Sequence, residues 1–411
     1  MKPALYTSIA ATAFMLTACA TTDHGQRTVG EKTTDMSSTE AMFDAESLKA
    51  TELVQRSAAR IRDVALETYV GEIANESAGE YGDEVDVYLL EVPAFNAYMY
   101  PNGTMGVYSG LLLRVETEDE LALVLSHEFG HYYEKHSLER HAKVSNANHA
   151  INALTILTAP AGLGGLAVDT LAGATLLGQI ASFSREQETE ADVIGLERVS
   201  ENGYDQGSAI KIWENIENEK RASSIQKVRN RKSKFYDTHP TSPARLAALK
   251  AAANIEGDIP RPSLEQRSDY RSHIRPHLMK WLNDEIGLRD AGTTLNLLDR
   301  LDDLGEDQGV LLYARARVLD RALSNKKLKE DKLTQALVAG QTQSDVVELL
   351  KQASSHSDAP PIAHRELGDR FYKLGQYDEA KAEFQRYLEL DPAAEDKNLI
   401  ESLIAKMEAS L

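Results

Sequence analysis

The chain has 411 residues, enough for two or three domains and at least one sizeable hydrophobic core. Acidic residues outnumber basic ones by 64 to 45, and the formal net charge of -19 argues against nucleic acid as a partner, because phosphate binding needs basic patches. The single cysteine, Cys19, excludes an intramolecular disulfide.

Residues 1–18 have the composition of a secretory signal: Lys2 precedes a run of small and apolar residues that is too short for a good transmembrane span. The run ends in Leu16-Thr17-Ala18-Cys19, which resembles the lipobox of bacterial lipoproteins. The resemblance implies cleavage before Cys19 and lipidation of that cysteine. The alternative is an ordinary cleaved signal with an incidental cysteine. Ala20, where an inner-membrane retention signal would usually have Asp, favours the outer membrane, with the protein facing the periplasm.

Residues 19–42 are predicted to be a lipidated, flexible tether. They are rich in Thr, Ser, Gly and charged residues, and they offer little apolar surface to bury. Fully extended, a segment of this length reaches roughly 75 Å. The folded part of the chain therefore need not touch the bilayer.

A helix and a small sheet are predicted next. Apolar residues recur at helical spacing from Phe43 to about Asn75, and after Gly82 an alternating pattern over residues 85–89 indicates a half-buried strand. A turn at Pro101-Asn102-Gly103 leads to a second predicted strand, Thr104-Met105-Gly106-Val107-Tyr108.

The following helix carries the motif His127-Glu128-Phe129-Gly130-His131. Its start is marked by Thr117 and Glu120, which have capping-box spacing. His127 and His131 are one turn apart on one helix face, so both imidazoles can reach the same metal ion. Glu128 lies beside that metal, where a carboxylate can accept a proton from water. The pattern predicts a zinc site for hydrolysis, and His136, five residues beyond His131, is expected to point away from it.

Catalytic zinc usually has three protein ligands, so one more is needed. Downstream, Glu188 and Asp192 are four residues apart on one helix face, and the small residues Ala191 and Gly195 would allow this helix to approach the first closely. Glu188 is predicted to be the third ligand of one Zn2+ per chain. Asp192 is predicted to accept a hydrogen bond from the far nitrogen of a ligand histidine.

Residues 150–183 are strongly apolar and rich in small residues. They suggest either a membrane-dipping hairpin, which would make the protein an integral membrane protease, or a lid or packed helical hairpin near the metal site. A clean membrane span is disfavoured by Asp169 and by four chain breakers, Pro160, Gly162, Gly164 and Gly165. The lid is therefore the preferred interpretation.

The remainder of the chain is helical in pattern. Near its end, eight residues fall at the spacings of a tetratricopeptide repeat: Leu367, Gly368, Phe371, Gly375, Tyr377, Ala380, Phe384 and Pro392. One repeat cannot bury its own apolar face, so neighbouring helices are expected. Residues 265–360, with leucines at helical spacing, are candidates for degenerate repeats.

Three segments together resemble family forty-eight of the metallopeptidases. They are the HEFGH motif, the helix reading SRxxExxADxxG, and Thr238-His239-Pro240-Thr241-Ser242-Pro243-Ala244-Arg245. Asn96-Ala97-Tyr98 and Pro101-Asn102-Gly103 add to the likeness, although the family usually has two glycines where this chain has Asn102. The family includes the CAAX prenyl protease and the HtpX and Oma membrane proteases. The C-terminal repeat makes the BepA-type periplasmic peptidases the nearest resemblance.

The resemblance implies roles for residues of this chain. His127, His131 and Glu188 would bind zinc, and Glu128 would be the general base or acid. Residues 104–108 would be an edge strand on which an extended peptide pairs. His239 and Arg245 would lie near the metal, and His239 would bond the oxyanion of the tetrahedral intermediate or cap the zinc at rest.

The predicted fold is therefore α+β and mostly helical. A zincin-like metallopeptidase domain with a small sheet, residues 43–255, is followed by an all-α domain of tetratricopeptide-repeat type, residues 265–411. The expected function is a zinc endopeptidase of the bacterial envelope that degrades misfolded or unassembled proteins. It would be lipid-anchored in the periplasm and would dock on an envelope complex through its repeats. The alternative is a chaperone or assembly factor with a latent protease site.

Overall fold

The computed structural model of the protein describes residues 26–30, 38–139, 183–229, 243–326, 328 and 331–409. Within them the fold is α+β and mostly helical, with one small sheet, as predicted. Cys19, His239 and nearly all of residues 150–183 lie outside the described residues. Among those that are described, no helix combines the length and the apolarity that crossing a bilayer requires.

Two helices precede the sheet where the sequence pattern indicated one helical stretch. Helix α1 is Ser38–Arg56 and helix α2 is Val64–Ala78, followed by a 3-10 segment, Gly79–Glu84. Between α1 and α2 the chain runs beside the first strand: the Ile61 N–H donates to the Leu89 carbonyl, and the Ala59 carbonyl accepts from the Glu91 N–H just after the strand. Asp63 then caps α2 by accepting hydrogen bonds from the next turn.

The sheet has strands β1 (Asp86–Leu90), β2 (Ala97–Met99) and β3 (Thr104–Tyr108), in the order β1-β3-β2. Strand β1 runs parallel to β3, and β2 runs antiparallel to it. A side chain at Gly106 of β3 would collide with Tyr98 of β2, since its Cβ would lie 2.2 Å from the tyrosine ring. Glycine at that position lets the Tyr98 ring lie flat on β3.

Both faces of the sheet are covered. The α1 face holds an apolar cluster of Ala50, Val54, Leu90, Tyr98, Tyr100 and Tyr108. The opposite face, which includes Met105 and Val107, joins the main core formed with α2 and the motif helix. Successive strand residues point to opposite faces, so every residue of β3 is buried.

The helices that follow the sheet surround the motif helix. Their bounds are α3 Ser109–Leu112, α4 Glu118–Tyr133, α5 Arg185–Glu201, α6 Gln206–Ala222, α7 Gln226–Arg229 and α8 Pro243–Ala252. Helix α4 contains the HEFGH motif and is buried along almost its whole length. It contacts α2, α5 and α6, and it is therefore the central helix of this part of the molecule.

The C-terminal half is all helical. Its helices are α9 Leu264–Gly287, α10 Ala291–Asp302, α11 Gln308–Ser324, α12 Lys332–Leu337, α13 Gln343–Ser354, α14 Pro361–Lys373, α15 Tyr377–Leu390 and α16 Lys397–Glu408. Helices α9 and α10 share the main core with α4, and a second core extends from Tyr313 to Met407. The hydrophobic core therefore continues across the predicted boundary at residues 255–265.

Helices α14 and α15 form the predicted repeat hairpin. Gly368 of α14 lies against Phe384 of α15, and a Cβ at Gly368 would be 2.7 Å from the phenyl ring. Phe371 and Ala380 are buried at the same interface. The short connection between the helices includes Gly375 with φ 77°, a left-handed conformation that favours glycine.

A buried ion-pair network joins the two halves of the chain. The Arg114 guanidinium contacts Glu219 of α6 at 2.7 Å and Glu285 of α9 at 2.8 Å, and these side chains are at most 1% exposed. Arg267 and Arg300 of the C-terminal helices both pair with Glu116, at 3.0 and 3.4 Å. Each buried charged side chain of this network therefore contacts a side chain of opposite charge.

Part of the predicted tether is attached to the folded protein. The Arg27 backbone N–H donates to the Tyr133 carbonyl over 2.9 Å, and its carbonyl accepts from the Tyr81 hydroxyl over 2.9 Å. The Arg27 guanidinium lies 4.2 Å from the centre of the Tyr132 ring. Residues 26–30 are therefore fixed beside the C-terminal end of α4, and α1 begins at Ser38 within the predicted tether.

Candidate metal centre

Helix α4, which carries the two histidines, begins at a capping residue. Thr117 caps the helix by accepting a hydrogen bond from the Glu120 backbone N–H, at 3.3 Å. The Glu120 carboxylate accepts from the Glu116 N–H at 2.6 Å, and not from Thr117 as a capping box would have it. One turn separates His127 from His131, and both side chains are buried.

Helix α5 delivers carboxylates to the same place. It begins with a capping box formed by Ser184 and Gln187, so Glu188 lies in its first turn. Small residues let α4 and α5 approach closely: a Cβ at Gly130 would lie 3.0 Å from the Ala191 Cα, and one at Gly195 would lie 3.4 Å from the His127 backbone nitrogen. The small residues predicted to allow close packing of this helix do line the contact.

Three side chains converge at this contact. The His127 and His131 Nε2 atoms are 3.2 Å apart. The Glu188 carboxylate oxygens lie 3.7 Å from His127 Nε2 and 3.6 Å from His131 Nε2. Ligands bonded tetrahedrally to zinc at its usual bond lengths would be about 3.4 Å apart. His127, His131 and Glu188 therefore form a candidate metal site, with ligand atoms all within 4.8 Å of one another.

The His127 ring is oriented by Asp192. Its Nδ1 atom lies 3.1 Å from Asp192 Oδ1, the position predicted for this carboxylate. A hydrogen bond donated by Nδ1 leaves the Nε2 lone pair directed toward His131 and Glu188. Burial by itself would raise the pKa of Asp192, but Arg245 and the hydrogen bond from His127 hold it below its usual value.

Arg245 binds two of these carboxylates. It contacts both oxygens of Asp192 at 2.7 Å and Glu188 Oε2 at 2.8 Å, and its guanidinium lies 4.6 Å from the Trp213 ring centre. Burial alone would lower the pKa of Arg245, but the pKa is raised because the Asp192, Glu188 and Glu128 carboxylates outweigh that effect. Arg245 thus lies near the site, as the resemblance implies, and contacts carboxylates there.

His136 lies at the site, so the prediction that it points away is wrong. Helix α4 ends at Tyr133, and Lys135 adopts a left-handed φ of 51°, which turns the chain back toward the helix. His136 Nδ1 is consequently 2.9 Å from His131 Nδ1. Burial lowers the pKa of His136 to about 4, which keeps the ring neutral. Helical spacing does not describe residue 136, because the helix ends at Tyr133.

Two aromatic residues that sequence reasoning did not single out flank the histidines. The Phe183 ring stacks on His131, with centroids 3.8 Å apart and planes inclined by 15°. The Trp213 ring meets His127 edge to face, at 6.2 Å. Sequence spacing could not reveal these two ring contacts, because each contact joins segments that are distant along the chain.

Glu128 is buried in the same region. Its side chain is 4% exposed, and its charge contributes to the raised pKa of Arg245. It follows His127 directly in α4, so it lies beside the three converging side chains. That position fits the role predicted for it.

The prediction that residues 104–108 form an edge strand is wrong. Strand β3 is the central strand of the sheet, paired with β1 on one side and β2 on the other. Its backbone groups are committed to both neighbours. Within the described residues, β2 is the outer strand of the sheet nearest the candidate site, because Met99 at its end and His131 line the same pocket. His239 and Cys19 lie outside the described residues, so their roles stay predictions.

Comparison with known proteins agrees with this arrangement. The model of peptidase family M48 matches residues 60–253, and a tetratricopeptide repeat model matches residues 361–394. The beta-barrel assembly-enhancing protease of Escherichia coli K12 is 28% identical over 267 residues, which cover 62% of this chain and 50% of the relative.

Two other relatives match over shorter segments. The mitochondrial metalloendopeptidase OMA1 of Schizosaccharomyces pombe is 31% identical over 166 residues, 40% of this chain and 45% of the relative. A putative beta-barrel assembly-enhancing protease of Vibrio cholerae is 28% identical over 172 residues, 40% of this chain and 35% of the relative. The matches span half or less of each of these relatives. The chain therefore carries a peptidase family M48 domain, followed by a tetratricopeptide repeat.

Proposed function

We propose that the protein is a zinc-dependent endopeptidase of the bacterial cell envelope, which hydrolyses misfolded or unassembled envelope proteins. One observation carries the catalytic part of this proposal. Two histidines and a glutamate bring their ligand atoms together in a buried cluster, and Glu128 lies beside it. The names of the related proteases support the same activity.

The donor set suits zinc. When His127 and His131 each donate a hydrogen bond from Nδ1, their Nε2 atoms both carry lone pairs, only 3.2 Å apart and close to the Glu188 carboxylate. Such a cluster of acceptors is stabilised by a cation. Two imidazoles and one carboxylate, with a fourth position left open, are a common ligand set of catalytic zinc.

The bound metal would act as a Lewis acid, making a water molecule more acidic and polarising the carbonyl group of a peptide. Glu128 then accepts the proton from the attacking water and delivers it to the amine that leaves. His127, held by Asp192, and His131 keep their ligand nitrogens in place. Arg245 holds Glu188 and Asp192 together, which reduces the electrostatic repulsion between these buried carboxylates.

The substrate backbone is proposed to pair with β2. In the antiparallel β2–β3 pair, Tyr108 donates to Asn96 and Tyr100 donates to Thr104. The hydrogen-bonded positions of β2 therefore alternate, and the backbone groups of Ala97 and Met99 point away from β3. An extended peptide bonded to those groups would form the next strand of the sheet, beside His131.

Several finer parts of the proposal rest on the sequence. The lipobox-like segment supports lipidation of Cys19, a periplasmic location and an outer-membrane anchor. The repeat at residues 361–394 supports docking on another protein, and an envelope complex is the partner proposed here. His239 is proposed to bond the oxyanion of the tetrahedral intermediate or to cap the metal at rest.

The decisive test of the catalytic role is Glu128→Gln. The variant should retain its metal, measured by mass spectrometry of the purified protein, and should lose cleavage of casein. Glu197→Gln, an exposed glutamate on α5, is the matched control and should cleave at the wild-type rate. Retained proteolysis in Glu128→Gln would remove this residue from the mechanism.

The metal site is tested separately by Glu188→Ala. Zinc content should fall far below one ion per chain in this variant, since two imidazoles alone would remain. Chelation of the wild type followed by addition of zinc, manganese or cobalt would identify the metal that restores cleavage. Full zinc content in Glu188→Ala would assign the third ligand to another residue.

A second candidate function is a chaperone or assembly factor that docks through its repeats and whose protease site is latent. It is favoured by the tetratricopeptide repeat at residues 361–394 and by the names of the beta-barrel assembly-enhancing relatives. The two functions make opposite predictions for Glu128→Gln in a deletion strain. Rescue by this variant would favour the assembly factor, and failure to rescue would favour the protease.

A further inference from the structure

His131 is held from its far side by a second histidine, in contrast to His127. We infer that His136 and Glu190 form a positioning pair for His131, fixing its ring so that Nε2 faces the metal. This inference rests on the proposed metal site. It adds two residues for which neither the motif nor the predicted ligand set provides a role.

The contacts form a continuous chain. His131 Nδ1 is 2.9 Å from His136 Nδ1, and His136 Nε2 is 3.0 Å from Glu190 Oε2. The His136 side chain is 2% exposed and the Glu190 side chain is 59% exposed. The chain therefore begins at the buried ligand and ends in a carboxylate at the surface.

The hydrogens can be assigned along this chain in only one way that leaves His131 a ligand. Metal binding through Nε2 requires a neutral His131 whose proton is on Nδ1, where it is donated to His136. His136 Nδ1 must then be the acceptor, so its proton is on Nε2 and is donated to Glu190. The carboxylate thus selects the tautomer of His136, which in turn selects the tautomer of His131.

The surroundings restrict the His131 ring to this orientation. Phe183 stacks on one face at 3.8 Å, while His136 meets the Nδ1 edge. Rotation of the ring about its bond to Cβ would break both contacts. Phe183 therefore fixes the plane of the His131 ring, and His136 fixes the direction in which its Nδ1 edge points.

Helix α5 supplies the outer end of this chain and also serves the other histidine. Glu188 is the candidate ligand, Asp192 bonds to His127, and Glu190 reaches His131 through His136. Three alternate residues within a five-residue stretch of α5 thus act on both histidines of α4. Glu190 is largely exposed but makes this specific contact with His136.

The test is metal affinity, measured by competition with a chromophoric chelator, together with the visible spectrum of the cobalt-substituted protein. His136→Leu removes the acceptor and should weaken zinc binding by about 10–100-fold, with altered cobalt bands. His136→Asn can accept from His131 and donate to Glu190, so it should recover most of the affinity. Wild-type affinity and an unchanged cobalt spectrum in His136→Leu would overturn the inference.

Glu190→Ala provides a second test that does not disturb the core, because this side chain lies largely at the surface. It should weaken zinc binding several-fold, whereas Glu197→Ala, exposed on the same helix, should not change it. Equal affinities in these two variants would remove Glu190 from the pair and overturn the inference. A wild-type protein that binds no zinc would instead refute the proposed function, so the two failures are distinguishable.

Discussion

Gly130 of α4 packs directly against Ala191 of α5, at the contact between the two helices that bear the candidate ligands. A Cβ at Gly130 would lie 3.0 Å from the Ala191 Cα and 3.2 Å from its carbonyl oxygen. The distance from Glu188 to the histidines therefore depends on a position where any added side chain would press on α5.

Replacing this glycine should disrupt the metal site. In Gly130→Val the branched side chain would push α5 away and withdraw Glu188, so zinc affinity should fall by about tenfold or more. Gly71→Val in α2 is the matched control, since nothing lies within 4 Å of a Cβ there. Zinc titrations of both variants make the comparison, and equal affinities would show that the helix contact does not control the site.

Arg245→Lys tests whether a forked cation is needed. A lysine has a single charged group and cannot contact both Asp192 oxygens and Glu188 in the geometry of a guanidinium. Zinc affinity should fall by about 10–100-fold, as for other partners of metal ligands. The exposed Arg185→Lys is the control. Unchanged zinc affinity in Arg245→Lys would mean that a positive charge at residue 245 is sufficient and that the forked guanidinium is not needed.

If the substrate pairs with β2, every second backbone N–H of the peptide should be needed for cleavage. N-methylation of one backbone nitrogen at a time in a casein peptide that the enzyme cleaves should block cleavage at alternating positions, because every second N–H of the peptide would bond to Ala97 or Met99. Cleavage rates by mass spectrometry would measure this. A uniform effect along the peptide would contradict strand pairing.

The buried Arg114 network predicts a large stability effect. Arg114→Met leaves Glu219 and Glu285 buried with less compensation and should lower the free energy of unfolding by about 3–5 kcal/mol. Arg56→Met is the control, because the Arg56–Glu52 pair is exposed and should contribute about 0.5 kcal/mol or less. Urea denaturation followed by circular dichroism compares the two. A loss as small as that of the control would show that the network is not needed for stability.

The parts of the site that lie within single helices could be predicted from the sequence. The face shared by His127 and His131 depends only on helical periodicity, and the same holds for Glu188 and Asp192. The repeat hairpin at residues 361–394 was recognisable for the same reason, since its pattern is local.

Other features depend on how distant segments meet. The order β1-β3-β2 follows from tertiary packing, so spacing could not reveal that β3 is central. The prediction for His136 is wrong because no spacing in the sequence indicates the left-handed Lys135, which returns the chain to His131. The aromatic contacts of Phe183 and Trp213 likewise come from separate segments.

If Cys19 carries a lipid, as proposed, the attachment of residues 26–30 beside the end of α4 would limit the distance between the candidate metal site and a membrane. Arg27 and His131 line the same pocket, so the N-terminal attachment point and the candidate metal site are neighbours. The chain from Cys19 to Gln26 covers about 24 Å at full stretch. The candidate metal site would then stay close to the bilayer surface. Protein substrates that emerge from the membrane would reach it before substrates that diffuse through the periplasm.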